Sequence, residues 1–208
     1  TRTGVAASSH AAPSRQGKPV AQQTSKAMSK TGHIWKMHLL TAMAAISFGV
    51  ALHAQPWPKS INGNVRDAVA QLSNGHAYSF DDWIQYIPAV AYMTLDLTGV
   101  NHENDLIKRG CTALGGYVFY AAGTQAVKHF VSEMRPDGSM DNSFPSGHSG
   151  MAFLGAELVR MEYGNGWGAA AYGIAGTTAF MRIWNDKHWL TDVVAGAAIG
   201  IFSAHVGD

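Results

Sequence analysis

Two stretches decide how this 208-residue chain is read: Lys128 to His148, KHFVSEMRPDGSMDNSFPSGH, and Arg182 to Asp192, RIWNDKHWLTD. Within them, three blocks gather cations, histidines and one acid in largely apolar surroundings. Lys128 with Arg135-Pro136 is the first, Pro145-Ser146-Gly147-His148 the second, and Arg182, His188 and Asp192 the third. Lys128 ends an apolar helix and Arg135 follows in a loop closed by Pro136. Two fixed cations of this kind suit a phosphate, the guanidinium by bidentate geometry and the ammonium as a point charge. Ser146 reads as a helix N-cap, and Gly147 lets main-chain N–H groups face an anion at the helix start. His148 then stands in the first turn. His188 and Asp192 are four apart, so on one helix they share a face. An Asp on one imidazole nitrogen sets the tautomer and leaves the other nitrogen as nucleophile or base. Arg182 adds a third cation. The set fits phosphoryl transfer without a metal.

Each block alone has a plainer reading. A lysine at a helix C-terminus complements the dipole, Ser-Gly before a helix is an ordinary cap, and a His/Asp pair at this spacing is often a surface pair. It is their joint occurrence, in this order, that favours the chemical reading.

Around the blocks the chain reads as helices. Residues 62–73 place Val65, Ala68, Val69 and Leu72 at helical spacing. Asp81-Asp82 precede an apolar stretch from Trp83 to Val100, with Pro88 as a kink or first-turn residue, and two acids favour a helix start. Residues 110–127, 148–163, 166–184 and 190–206 give four further helices. No segment alternates with period two for long. Small residues at spacings such as Gly168-Tyr172-Gly176, and Ala195 with Ile199, allow close helix packing. The fold expected is all-α, a compact bundle of about six helices associated with a membrane.

Composition bounds the rest. Charged residues are only 14% of the chain and hydrophobic residues 47%, which excludes disorder throughout. The net charge of +1 averages two unlike parts. Residues 1–37 hold six of the fifteen basic residues and no acid, leaving nine basic and fourteen acidic residues, a net of −5, in 38–208. A body of that charge is not a nucleic-acid binder. A lone cysteine, Cys111, excludes a disulfide scaffold and zinc sites built on several cysteines. Residues 1–37 are expected to be a disordered basic leader. Residues 38–54 carry the apolar run from Leu39 to Leu52 and read as a signal-peptide h-region cleaved after Ala54, or as a membrane anchor. Both place the remaining domain, 55–208, outside the cytoplasm.

The three blocks resemble the motifs of the type 2 phosphatidic acid phosphatase superfamily, the lipid phosphate phosphatases that share a site with vanadium haloperoxidases and class A acid phosphatases. The first motif is Lys, six residues, Arg-Pro (Lys128 to Pro136). The second is Pro-Ser-Gly-His (145–148). The third is Ser-Arg, five residues, His, three residues, Asp, matched from Arg182 to Asp192 with Met181 in place of the serine. The resemblance covers roughly residues 83–206. It implies a haloperoxidase-like helical core with all three motifs at one end, and it implies roles. His188 would attack phosphorus, Asp192 would orient it, and His148 would protonate the leaving alkoxide and then activate water. Lys128, Arg135, Arg182, Ser146 and the Gly147 amide would hold the phosphoryl oxygens. No cofactor and no metal is implied. The implied substrate is a lipid phosphate monoester or pyrophosphate of the phosphatidic acid, phosphatidylglycerol phosphate, undecaprenyl pyrophosphate or lipid A class. The implied location is a bacterial envelope membrane with the site facing the periplasm.

The other readings weighed are a soluble periplasmic acid phosphatase on small organic phosphates, a haloperoxidase, and a non-catalytic protein with a degenerate motif. Outside the blocks, His129 is a candidate neighbour of the site. Glu133, Asp137 and Asp141 read as a solvated loop that could instead bind a divalent ion or shape substrate entry. Trp184 and Trp189 read as packing or membrane-interface residues. His76, His102 and His205 read as structural or exposed, and Cys111 as a small core residue.

Overall fold

The computed structural model describes residues 59–208, and among these the regular structure is helical apart from one isolated bridge, Glu133 to Asn142. The leader 1–37, the apolar run 38–54 and the cleavage point after Ala54 lie outside the described residues. The helices are α1 (Lys59–Ser73), α2 (Asp81–Ile84), α3 (Ile87–Thr94), α4 (Leu106–Phe130), α5 (Gly147–Tyr163), α6 (Asn165–Trp184) and α7 (Leu190–Gly207), with a 3-10 turn at Leu95–Thr98. The fold is therefore all-α, as its apolar periodicities predict. The stretch from Trp83 to Val100 is not one helix, however. Its first turn closes at Ile84, and Pro88 enters the first turn of α3, where a missing N–H costs no hydrogen bond.

Helix α5 is the centre. Ala152, Leu154, Ala156, Leu158 and Val159 are almost wholly buried, surrounded by Tyr92 of α3, Tyr120 of α4, Ala171 and Ala175 of α6, and Ile199 and Ala204 of α7. Its approach to α7 is a main-chain contact. A Cβ on Gly196 would lie 2.3 Å from the Ser146 carbonyl oxygen, and one on Gly200 would lie 2.1 Å from the Gly150 carbonyl oxygen. Gly150 is equally hemmed in, by the Tyr120 ring at 2.5 Å and the Gly196 carbonyl at 2.7 Å. These are the small residues that set helix spacing. Of the pair singled out from sequence, Gly168 does pack against the Arg160 stem, but Gly176 has nothing within 4 Å of its Cβ position. Gly164, at φ 84, joins α5 to α6 in a conformation open to glycine at little steric cost.

Chain direction places the three motifs together. Helix α4 ends, α5 begins, α6 ends and α7 begins at the same end of the bundle, so Lys128, His148, Arg182 and Asp192 converge. Polar clusters brace the rest. The buried Arg109 guanidinium meets Asp96 and the Tyr163 hydroxyl. Buried Glu157 accepts from Arg160 at 2.6 and 2.7 Å and from the Tyr172 hydroxyl at 2.6 Å, and pairs with His205 at 2.7 Å. Thus His205 is structural, as expected.

Cys111 is not a core residue. It is exposed on α4, on the face that also turns Ile107, Leu114 and Val118 outward. The apolar periodicity of α4 is satisfied on both sides, so the sequence pattern does not say which side is buried.

The α5–α7 crossing predicts opposite effects for two glycine substitutions. Gly200→Ala should destabilise the domain by about 3 kcal/mol, since a main-chain oxygen cannot yield as a side chain does. Gly173→Ala, on a helix with nothing near its Cβ position, should stabilise it by about 0.5 kcal/mol. Thermal melts of the two variants measure both.

Candidate active site

The site is built from helix ends and two loops. Lys128 lies in the last turn of α4, and its ammonium donates to the Asn142 carbonyl at 2.6 Å. The following loop folds back on itself: Glu133 N–H donates to Asp141 O at 3.0 Å, Arg135 N–H to Met140 O at 2.8 Å, and Ser143 N–H to Glu133 O at 2.9 Å. This brings Arg135 back beside Lys128. Burial, and then the Arg135 charge, push the Lys128 ammonium below the ordinary lysine value, against the pull of Asp192. Nε of Arg135 and Nε of Arg182 are both buried without a hydrogen-bond partner among the described residues. A buried cation is costly unless an anion meets it, as the Asp81 carboxylate meets Arg182 Nη1 at 2.6 Å.

Ser146 is the N-cap of α5, as read from sequence. Its wholly buried hydroxyl accepts from Ser149 N–H at 3.4 Å. Its own N–H donates to the Asp192 carbonyl at 3.0 Å, tying the second motif to the third. The Tyr120 hydroxyl donates to the Gly147 carbonyl at 2.7 Å, which orients the first turn of α5 and leaves its N–H end toward the site.

His188 and Asp192 do not share one helix. His188 sits in the turn after α6, and Asp192 is the third residue of α7, where its carboxylate accepts from the Trp189 N–H at 2.9 Å. The pair still meets, because the helix start brings the carboxylate back toward the turn. Nδ1 of His188 lies 3.5 Å from Asp192 Oδ2. Ser143 joins them: its hydroxyl donates to that same oxygen at 2.5 Å and lies 3.4 Å from His188 Nδ1. Nδ1 thus faces the acid, and Nε2 is the nitrogen left for chemistry. Burial pushes the His188 imidazolium below the ordinary value. Asp192 opposes this, while the Arg182 and Lys128 charges add to it.

Sequence reasoning missed three groups. Ser143, wholly buried, is one; it sits three residues before Ser146, a position with no obvious signal. Glu133 is the second. It is not in a solvated loop: its carboxyl hydrogen-bonds Asp192, and burial with the Asp192 charge pushes it up to about 8. Two carboxyl groups bond only through a shared proton, and burial beside the Asp192 charge favours the protonated form of Glu133. The third is the pair Asp81 and Asp82. Arg182 Nη1 donates to Asp81 Oδ2 at 2.6 Å and reaches Asp82 Oδ1 at 3.4 Å, and Asp82 Oδ1 lies 3.0 Å from His148 Nε2. These acids do open a helix, but their carboxylates face the third motif and His148.

The remaining loop residues brace the turn. Lys187 donates to Asp137 at 2.7 Å and holds that carboxyl well below the usual range. Arg66 of α1 meets Asp186 through two 2.7 Å bonds and lies 5.9 Å from the centre of the Trp189 ring. The Trp189 and Trp184 indoles donate to the Met134 and His76 carbonyls at 2.9 Å. His129 is exposed, in ring contact with Phe130, and is not drawn into the cluster.

Glu133 makes stability depend on pH in a definite sense. Its folded value lies above the ordinary 4.5, so the folded state keeps a proton that the unfolded chain releases, and stability falls as pH rises from about 4.5 to about 8. Glu133→Gln, which keeps the donor and cannot ionise, should therefore gain on the wild type between about pH 5 and about pH 8. Denaturant melts at the two values measure the difference.

Comparison with known proteins bears on this arrangement. A family model described as the PAP2 superfamily matches residues 109–207. The lipid A 1-phosphatase of Porphyromonas gingivalis is 33% identical over 158 residues, which is 69% of this chain and 34% of that protein. The chain thus spans about a third of that relative's length. The crystal structure of Aquifex aeolicus LpxE aligns with a TM-score of 0.51 at 20% identity, over 68% of this chain and 92% of that one. The first transmembrane PAP2 type phosphatidylglycerolphosphate phosphatase from Bacillus subtilis aligns at 0.50 and 16%, over 79% and 92%. At such identities the two structures speak for the fold. The matched span holds all three motifs, and the helical domain of this chain belongs to the PAP2 superfamily.

Proposed function

We propose that the domain is a phosphatase that hydrolyses lipid phosphate monoesters or pyrophosphates through a phosphohistidine, without a metal. The observation that carries this reading is the pair of histidines across one cluster of cations. His188 is buried against Asp192 and Ser143, His148 stands at the start of α5, and Lys128, Arg135 and Arg182 converge beside them. In the first step Nε2 of neutral His188 forms a bond to phosphorus while the P–O bond to the alcohol breaks. Protonated His148 gives its proton to the departing alkoxide. In the second step neutral His148 takes a proton from water, the water oxygen bonds to phosphorus, and the P–N bond breaks to release phosphate. The three cations, the Ser146 hydroxyl and the α5 N-terminus stabilise the charge on the phosphoryl oxygens.

The lipid class is supported by the relative named lipid A 1-phosphatase and by the surface. Trp83, Leu97, Ile107 and Phe130 are each more than three-quarters exposed. Among the described residues one helix, Leu190–Gly207, is long and apolar enough to cross a membrane. An apolar surface of that kind suits a lipid environment, and we place the domain at an envelope membrane with its site toward the periplasm. Which of the four lipid classes is taken is read by an assay. Phosphate release from each in detergent, against a small soluble phosphate ester, separates a lipid enzyme from the soluble acid phosphatase. Equal turnover of the soluble ester would favour the latter.

His188→Ala should lose activity by about 10³-fold or more, and the wild type quenched in acid-free conditions with radiolabelled substrate should carry label that the variant lacks. Activity should survive a chelator and fall with vanadate.

The pH profile follows from the two imidazoles. His188 must be neutral, and its lowered value keeps it neutral well into acid. His148 must be protonated, and burial and Arg182 lower it despite Asp82 and Asp81. The profile of kcat/KM should therefore be a bell on the acid side of 6.5, the ordinary imidazole value. The bound phosphoryl group adds negative charge beside His148, so the alkaline limb of kcat should lie higher than that of kcat/KM.

A further inference from the structure

Asp82 belongs to none of the three motifs, yet its carboxylate is in hydrogen-bond contact with His148, with Oδ1 3.0 Å from Nε2. Helix α2 is held over the site by its neighbour. Asp81 is 1% exposed, accepts from Arg182 at 2.6 Å and accepts from the Asn185 amide at 3.1 Å. Asn185 in turn closes a pair of bonds with the Tyr78 main chain, at 2.6 and 3.0 Å. Asp81 therefore anchors α2, and Asp82, half-exposed beside it, is free to serve His148.

We propose that Asp82 is the positioning residue of His148: it accepts from Nε2–H and thereby holds the ring, its tautomer and its positive charge for proton transfer at Nδ1. The inference rests on the reading of His148 as the general acid. When the P–O bond breaks, the Nδ1 proton passes to the alkoxide, and the electron pair left on Nδ1 is the one that later accepts a proton from water. Nε2–H stays on Asp82 throughout, so the neutral ring has one tautomer. This is the division of labour that an acid–imidazole pair performs elsewhere. It gives the site two such pairs, Asp192 behind His188 and Asp82 behind His148.

The charged and titratable groups around His148 make the assignment specific. From α6, Arg182 disfavours its proton; from α2, Asp82 and, less strongly, Asp81 favour it. From α4, Tyr120 spends its hydroxyl on the Gly147 carbonyl. From the α7 side, the Asp192 carboxylate is engaged by Ser143 and by the Trp189 N–H. Asp82 is thus the one acid among the described residues in hydrogen-bond contact with this imidazole.

The test uses leaving groups. The glycerol oxygen of a short-chain phosphatidic acid needs a proton to depart, whereas the phenolate of p-nitrophenyl phosphate does not. Steady-state kinetics of the full chain in detergent are measured on both for the wild type, His148→Ala, Asp82→Asn and Asp82→Glu. Asp82→Asn should lower kcat/KM, which covers only the step in which the alcohol departs, about tenfold or more on phosphatidic acid and by less than about twofold on the aryl ester. Its alkaline limb on phosphatidic acid should move to lower pH, because an amide does not favour the imidazolium as a carboxylate does. Asp82→Glu should recover part of the lost alkyl activity and part of the shift. Aryl activity retained by the Asn variant reports an intact pocket. Equal losses on both substrates, an unmoved alkaline limb, or no recovery in the Glu variant overturns the proposal. If His148→Ala also fails to distinguish the substrates, the general-acid reading falls with it. If His148→Ala distinguishes them and Asp82→Asn does not, the proposal alone falls.

Discussion

The site depends on a contact between two main chains. At Gly150, Gly196 and Gly200 the start of α5 lies directly on α7, so close that a Cβ on Gly200 would overlap the Gly150 carbonyl oxygen at 2.1 Å. That crossing lets the Ser146 N–H reach the Asp192 carbonyl at 3.0 Å. The second and third motifs, more than thirty residues apart in sequence, become one rigid piece. Ordinary helix spacing, about 8–10 Å between axes, is set by side chains; without them the helices approach further, and both histidines stand within reach of the Arg182 charge. The rest follows from chain direction, since every motif sits where a helix starts or stops.

A second constraint is electrostatic. Burial disfavours the charged forms of Lys128, His188 and His148 alike. Acids stand beside these groups and oppose the effect. Asp192 offsets the desolvation of His188, Asp82 and Asp81 offset that of His148, and Asp192 pulls on Lys128. Glu133 completes the set: burial and the Asp192 charge favour its neutral form, which avoids a second negative charge beside Asp192. The body's net of −5 is thus compatible with an anion site: three of its nine basic residues, Lys128, Arg135 and Arg182, are gathered at the motifs, with acids arranged among them.

Much of this is legible in the sequence, for identifiable reasons. Lys128 at the end of its helix, Ser146 as a cap and Arg182 in the last turn of α6 follow from local rules of helix ends. Ser143, Glu133, Asp81 and Asp82 were not legible as site residues. Each enters through a loop closure or a short helix whose partner lies elsewhere in the chain, as Asp82 does 66 positions from His148. Local pattern carries no information at that separation. Cys111 was misplaced for the complementary reason: a helix apolar on both faces does not announce which face is covered.

Taken alone, the sequence determined that the domain is helical, roughly where each helix runs, and that three blocks of phosphate-type chemistry occur in a fixed order and spacing. These are properties of neighbouring residues, set by propensity, capping and periodicity. Only the tertiary structure decided which nitrogen of each histidine faces an acid, that a serine and a glutamate stand beside Asp192, and that a short helix brings two aspartates to Arg182 and His148. Those features are set by the packing of helices remote in sequence. The tightness of that packing is fixed by glycines whose role becomes visible when their main-chain neighbours are known.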